Sequence, residues 1–207
     1  RQRQMCIRDR TYTVRRNNIE VAASHRFCNA APVTIAIYYG MQSMFEGETH
    51  VLTPGGAYTD WTEAAKASTF TKQEYPLFRR YVEKNRQGYQ STWLLPDGLG
   101  DHALLDGQDD IFIYAPYGKS YHKLFGNKRM ENGDKTCWRG VYTWFETPVA
   151  DDADLLCYEG SAGGHTAVFI DCKRACKRTL ALPGYLDLRH FGTAEQNSGC
   201  LLYTSDA

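Results

Sequence analysis

The sequence lacks the patterns that would point at once to a membrane protein, a nucleotide-binding enzyme or a zinc ribbon. No stretch approaches the roughly 18 consecutive apolar residues of a membrane-spanning helix. The motifs G-x-S-x-G, H-E-x-x-H, the P-loop and G-x-G-x-x-G are all missing. No Cys-x-x-Cys pair occurs among the seven cysteines. The chain has 24 basic and 24 acidic residues, and it therefore lacks the excess of basic residues that would indicate nucleic acid as a partner.

The two ends of the chain can be encoded by one DNA element. Its two strands specify residues 3–9 and 200–206, and the element resembles the transposon end used to build sequencing libraries. We therefore predict that 1–10 and 200–207 are adapter-derived artefacts of a metagenomic or transcriptomic sequence. On this interpretation 11–199 form a single β-rich domain, which could be truncated at either end. Without the two ends the net charge changes from zero to −2 and five cysteines remain.

Strand patterns dominate the region between the ends. Residues 32–39 alternate at period two and are rich in β-branched side chains, which predicts a strand. A turn-like segment at 29–32 predicts a hairpin between this strand and a short one at 19–22. Further strands are expected at 110–115, 137–145, 155–158, 164–171 and 178–182. Short strands separated by turn residues favour a mainly β fold, either a β-sandwich or a partial barrel.

One segment carries a helical pattern. Pro76 suits the first turn of a helix, because its missing N–H would have no partner there. The apolar residues Leu77, Phe78, Tyr81 and Val82 then recur at helical spacing, and Gly88 is a suitable stop. The sequence therefore predicts a helical insert around 76–87.

Cys28, His165 and Asp171 form a candidate catalytic group. A thiolate nucleophile needs an imidazole as base and a third polar group that orients it. The order of these residues, and the run from Cys28 to Gly40, resemble papain-like cysteine peptidases of the bacteriocin-processing type. The resemblance implies that Cys28 is the nucleophile, His165 the base and Asp171 the orienting group. It also implies a helix beginning at Cys28, whereas the spacing within 32–39 predicts a strand.

The segment around Cys28 also supports a different interpretation. Phe27-Cys28-Asn29, followed by the strand pattern of 32–38, resembles a family of small bacterial β-rich domains of unknown function, which open with Phe-Cys-Asn and a Val-x-Val-Ala-Ile-x-Tyr strand. This resemblance implies a small β-sandwich in which Cys28 is structural. It implies no enzymatic activity.

Two other groups could bind ligands. Exposed aromatic rings can stack on sugars, which makes Tyr114, Tyr117, Tyr121 and Trp138 candidate ligand contacts, although rings on strands are more often core. Aspartates in the segment 96–110 could chelate calcium, but Asp-Gly pairs are ordinary turn formers. We expect no metal and no cofactor.

The sequence as a whole favours a non-enzymatic β-sandwich module that binds a ligand or serves a structural role. The alternative is a papain-like cysteine peptidase with a Cys-His-Asp arrangement. The expected partner is a carbohydrate or a protein ligand, and neither nucleic acid nor a membrane span within the chain is expected. The cellular location is not predicted.

Overall fold

The chain is almost entirely β-structure where the structure describes it. The computed structural model describes residues 6–44, 50–53, 56–58, 79–95, 112–115, 119–162, 165–174, 176 and 201–205. Those residues form fourteen strands and no helix: β1 (Cys6–Arg15), β2 (Asn18–Phe27), β3 (Val33–Met44), β4 (His50–Thr53), β5 (Gly56–Tyr58), β6 (Arg80–Asn85), β7 (Gly88–Leu94), β8 (Phe112–Ala115), β9 (Lys119–Met130), β10 (Lys135–Phe145), β11 (Ala150–Asp151), β12 (Leu155–Ala162), β13 (His165–Cys172) and β14 (Leu201–Ser205). The prediction of a mainly β chain is confirmed. A helix long and apolar enough to cross a membrane is not found among the described residues.

The strands form three antiparallel sheets. The central sheet has seven strands in the order β1-β2-β10-β7-β6-β4-β5. The three-stranded sheet has the order β3-β9-β8, and the four-stranded sheet has the order β11-β12-β13-β14. The chain crosses between sheets several times. It passes from the central sheet to the three-stranded sheet between β2 and β3, and it returns between β9 and β10.

The central sheet lies between the other two sheets. Successive side chains of a strand point to opposite faces of its sheet. On one face of the central sheet, Leu94 packs in a cluster with Tyr38 and Leu124 of the three-stranded sheet. On the other face, Val82 packs in a cluster with Tyr158 of the four-stranded sheet. Strands β6, β7 and β10 are therefore covered on both sides.

The predicted helical insert at 76–87 is wrong over the residues that the structure describes. Residues 80–85 form strand β6, and 85–88 form the tight turn into β7. Gly88, expected to stop a helix, supplies the positive φ of 131° that this turn requires. Strand β6 is buried on both faces, so the neighbouring residues Tyr81 and Val82 are both apolar. Two adjacent apolar residues also occur on the buried side of a helix, and the sequence pattern was therefore misassigned.

Most of the expected strands are present. Strands β2, β3, β8, β10, β12 and β13 overlap the predicted segments at 19–22, 32–39, 110–115, 137–145, 155–158 and 164–171, of which 110, 111 and 164 lie outside the described residues. The segment 178–182 lies outside the described residues. The predicted hairpin between 19–22 and 32–39 is wrong, since β2 pairs with β1 and β10 while β3 pairs with β9.

Strand β13 is buried on both faces, as its sequence predicts. Ala167 and Phe169 belong to the cluster shared with the central sheet. Val168 and Ile170 are buried on the opposite face, in a second cluster with Leu155 and Cys157 of β12. An uninterrupted apolar run is the pattern expected when water is excluded from both faces of a strand.

Gly140 marks a close approach between the central and three-stranded sheets. A Cβ atom at this position would lie 2.1 Å from the Sδ atom of Met41, a side chain with no exposed surface. The residue at 140 must therefore be glycine for Met41 to fill this space. Two residues further along β10, the hydroxyl of Tyr142 donates a hydrogen bond of 2.7 Å to the carbonyl oxygen of Gln42.

The end segments form strands at the edges of two sheets. Strand β1 pairs with β2 along its whole length, and β14 pairs with β13. Every side chain from Asp9 to Arg15 is exposed, including Tyr12 and Val14. This part of β1 is held by backbone hydrogen bonds and contributes no side chain to the core. The adapter origin of 1–10 and 200–207 stays a prediction.

Candidate functional site

Two of the three candidate catalytic residues, His165 and Asp171, lie on strand β13, and Cys28 lies just beyond the end of β2. Cys28 follows β2, and its thiol is 3.9 Å from the carbonyl oxygen of Arg26. No helix begins at Cys28, because the chain continues through 29–32 into strand β3. His165 is the first residue of β13, opposite Ala162. The thiol of Cys28 therefore lacks the helix N-terminus that the peptidase resemblance implies.

Asp171, the third candidate, forms a buried ion pair with Arg80. Its carboxylate accepts hydrogen bonds from both terminal nitrogens of Arg80, one of them 2.5 Å long. Both side chains are almost completely buried, at 7% and 3% exposure. The guanidinium also donates to the hydroxyl of Tyr158 and lies 5.2 Å from the ring centroid of Phe169. The pair therefore links β6 of the central sheet to β13.

The four candidate aromatic ligand contacts have different environments. Trp138 is only 8% exposed and belongs to the core between the central and three-stranded sheets, so its ring is not available to a ligand. Tyr121 packs at 4.9 Å against the ring of Tyr39. Tyr114 is part of β8, and Tyr117 lies outside the described residues.

A surface groove lies where β3, β7 and β10 come together. Its walls include Met44 at the end of β3, Gln87 in the turn before β7, Gln90 on β7, and Trp144 and Glu146 at the end of β10. The groove has a volume of about 590 Å³. Known small-molecule sites occupy about 300–1,000 Å³ and combine aromatic walls with a few polar groups.

The indole of Trp144 is fixed in this groove while part of its surface stays open. Its Nε1–H donates a 3.1 Å hydrogen bond to the Oε1 atom of Gln90. The ring stacks on Tyr142, with centroids 5.8 Å apart and planes 22° apart. The side chain is nevertheless 38% exposed. A ring that is already held in one orientation loses little conformational freedom when a ligand binds to it.

The other two rings beside the groove are already covered. Phe145 stacks on Tyr89 at 4.8 Å and on Tyr158 at 4.6 Å. The Nζ atom of Lys84 lies 4.9 Å from the ring centroid of Tyr89. The rings of Phe145 and Tyr89 therefore serve the internal stack, and Trp144 is the ring that the groove presents to solvent.

A buried polar cluster lies behind the groove. The hydroxyls of Ser43, Tyr81 and Ser120 form a hydrogen-bonded triangle between β3, β6 and β9. The ring of His122 lies 5.5 Å from that of Tyr81, and Glu83 is on the same face of β6. Burial and the nearby Glu83 carboxylate raise the pKa of Tyr81 well above its usual value. Tyr81, Glu83, Ser120 and His122 have no exposed surface, so this cluster joins the layers and offers no access to a substrate.

Asp151 is the centre of a second polar network. Its carboxylate accepts hydrogen bonds from Lys173 at 2.5 Å, Lys84 at 2.7 Å and the hydroxyl of Tyr89 at 2.6 Å. Burial on its own would raise the pKa of Asp151. The three donors outweigh that effect and hold the pKa well below its usual value of 3.8.

We expect Asp151 to make the stability of the protein depend on pH. Because its pKa is lower in the folded chain, its contribution is complete above about pH 4 and is lost as the pH falls toward the folded value. Asp151→Asn should lower the free energy of unfolding by about 1 kcal/mol near neutral pH, since the network is partly exposed. Urea unfolding at a series of pH values should show this difference shrinking below about pH 4.

The matched control is Glu131→Gln, which removes an exposed ion pair with Arg129. Its effect on the free energy of unfolding should be close to zero throughout. A difference between the wild type and Asp151→Asn that stays the same down to pH 2 would contradict the assignment.

Two of the described cysteines are held in the thiol form by their surroundings. The described residues include five free thiols: Cys28, Cys137, Cys157, Cys172 and Cys176. Burial raises the pKa of Cys157 to about 11, and burial together with the neighbouring Cys176 raises the pKa of Cys172. A raised pKa lowers the fraction of thiolate at neutral pH. Among the described residues, no group of three or more His, Cys, Asp or Glu side chains could hold a metal ion.

Comparison with protein-family models, with curated proteins and with solved structures finds no match for this chain. The argument for function therefore depends on the geometry of the groove and of the thiols. Gln90 and Glu146, which line the groove, were not singled out by the sequence pattern. Trp144 is one of many aromatic residues in the sequence, and a sequence pattern cannot determine which of their rings reach the surface.

Proposed function

We propose that this protein is a non-catalytic β-sandwich module that binds a ligand in the groove beside Trp144. The observation that carries the proposal is the exposed indole held by Gln90 in a groove of about 590 Å³. The stacked sheets suit this role, because Gln90 and Trp144 lie on β7 and β10, two strands of the central sheet that are covered on both sides. A rigid support keeps the ring in place before the ligand arrives, and this lowers the entropy lost on binding.

The state of the candidate nucleophile also favours a binding module over an enzyme. Cys28 sits at the end of a strand, where the dipole of a helix does not stabilise its thiolate. The carboxylate of Asp171 is already paired with Arg80, although the peptidase arrangement needs it to orient His165. A papain-like peptidase using Cys28, His165 and Asp171 is the alternative that the following experiment separates from our proposal.

The experiment measures the alkylation rate of each thiol in the folded chain with iodoacetamide at about pH 7, followed by mass spectrometry of peptides. We expect Cys28 to react no faster than the exposed Cys176, since an unactivated thiol is only slightly ionised at this pH. The control is His165→Ala, which should leave the rate at Cys28 unchanged. Alkylation of Cys28 at least about tenfold faster than Cys176, lost in His165→Ala, would favour the peptidase.

A further inference from the structure

Of the three described aromatic side chains that line the groove, Trp144 is the exposed one. Both Phe145 and Tyr89 are engaged in ring contacts with other side chains, so they cannot surround a ligand. A cage for a quaternary ammonium group needs several open aromatic faces around one cation. One fixed indole instead suits a flat ligand with an apolar face, and the C–H face of a pyranose ring has that shape.

Among the described residues that line the groove, the rim is polar and Glu146 is the one charged side chain. Gln87 and Glu146 are exposed, and the hydrogen bonds and ion pairs found among the described residues do not use their side-chain atoms. An amide both donates and accepts hydrogen bonds, and a carboxylate can accept from two adjacent hydroxyls. The nearby ammonium of Lys84 is hydrogen-bonded to Asp151. A negative carboxylate on the rim disfavours uronic acids, phosphates and other anions.

From these features we infer that the groove binds a neutral oligosaccharide, with one pyranose ring stacked on Trp144 and its hydroxyls hydrogen-bonded to Gln87 and Glu146. The inference depends on the proposed binding function and names its ligand class. Sugars whose hydroxyls are equatorial suit the indole, because both faces of such a ring carry only C–H groups. Chains of β-linked glucose or N-acetylglucosamine have this property.

The test titrates the full chain with cellohexaose, chitohexaose and trigalacturonic acid, followed by tryptophan fluorescence and by calorimetry. We expect saturable binding of at least one of the two neutral hexaoses, and no binding of the acidic trimer. Trp144→Ala should weaken the binding at least about tenfold, which corresponds to 1.4 kcal/mol. Trp144→Phe should retain more of the affinity, because it keeps an aromatic face.

The matched control is Tyr39→Ala, which removes another exposed aromatic side chain, on the three-stranded sheet and outside the groove. It should leave the affinity unchanged, and thermal unfolding should confirm that each variant is folded. Failure of both neutral hexaoses to bind at millimolar concentration would overturn the inference, as would equal binding by Trp144→Ala. Binding of an apolar peptide that depends on Trp144 would also overturn it, but would leave the proposed binding module intact. Only an activated Cys28 would argue against the module itself.

Discussion

Replacing Arg80 by methionine should lower the free energy of unfolding by about 3–5 kcal/mol, because it leaves a buried carboxylate without its partner. Asp171 has only 3% of its side chain exposed, so water cannot replace the two hydrogen bonds from the guanidinium. The variant also loses the hydrogen bond to Tyr158 and the contact with Phe169. Urea unfolding, followed by circular dichroism, measures the change.

The double variant Arg80→Met with Asp171→Leu separates the ion pair from the space it fills. Replacing a buried ion pair by apolar residues of similar volume is often neutral or stabilising. We therefore expect the double variant to be more stable than Arg80→Met alone. The hydroxyl of Tyr158 keeps a partner in Ser91, at 2.9 Å, so no new unpaired hydroxyl complicates the comparison. A double variant less stable than Arg80→Met alone and than Asp171→Leu alone would show that the ion pair itself stabilises the fold.

The second large effect is expected at Phe125, between the central and three-stranded sheets. Phe125 is 1% exposed, and its ring stacks on Tyr38 with centroids 4.7 Å apart. Phe125→Ala should lower the free energy of unfolding by about 3–5 kcal/mol, because it removes apolar contacts and leaves a cavity in a tightly packed layer. The change is measured by urea unfolding with tryptophan fluorescence as the signal.

A matched control for Phe125→Ala is Val149→Ala, which shortens an apolar side chain that is 39% exposed. Its effect should stay within about 0.5 kcal/mol, since surface substitutions of this kind leave no buried cavity. If Phe125→Ala were as mild as the control, the three-stranded sheet would not be packed on the central sheet through this ring. The result would also remove the structural basis for a groove that Met44 and Trp144 build from two sheets.

The sequence was informative where a strand carries its own pattern. The apolar run at 164–171 predicts a strand buried on both faces, and β13 has that property. The aromatic, β-prone residues of 137–145 likewise predict β10. Both patterns are local, because the period of two residues follows from the geometry of an extended backbone.

The same local reasoning was wrong for 76–87. The predicted helix would place Arg80 and Glu83 on its solvent-exposed face, yet both are buried in the structure. Arg80 is buried because Asp171, more than ninety residues later, supplies its counter-charge. A polar residue can enter a core only when its partner is present, and the partner cannot be recognised from the neighbours of Arg80 in the sequence.

The candidate site also depends on contacts between residues that are distant in the sequence. The sequence offered four aromatic residues as candidate ligand contacts, and these included the buried Trp138. Trp144 becomes a binding candidate through Gln90 on β7 and Met44 on β3. Its exposure depends on how far the three-stranded sheet covers the central one.

The sequence by itself therefore determined that this protein is β-rich, and it located six of the described strands. Only the tertiary structure decided which strands pair, which sheet lies in the centre and which rings remain open to solvent. The pairing of Val21 with Gly140 illustrates the physical reason. The hydrogen bonds of a strand are completed by a partner that can lie anywhere along the chain. The local pattern fixes which faces are apolar, and the distant partner decides what covers them.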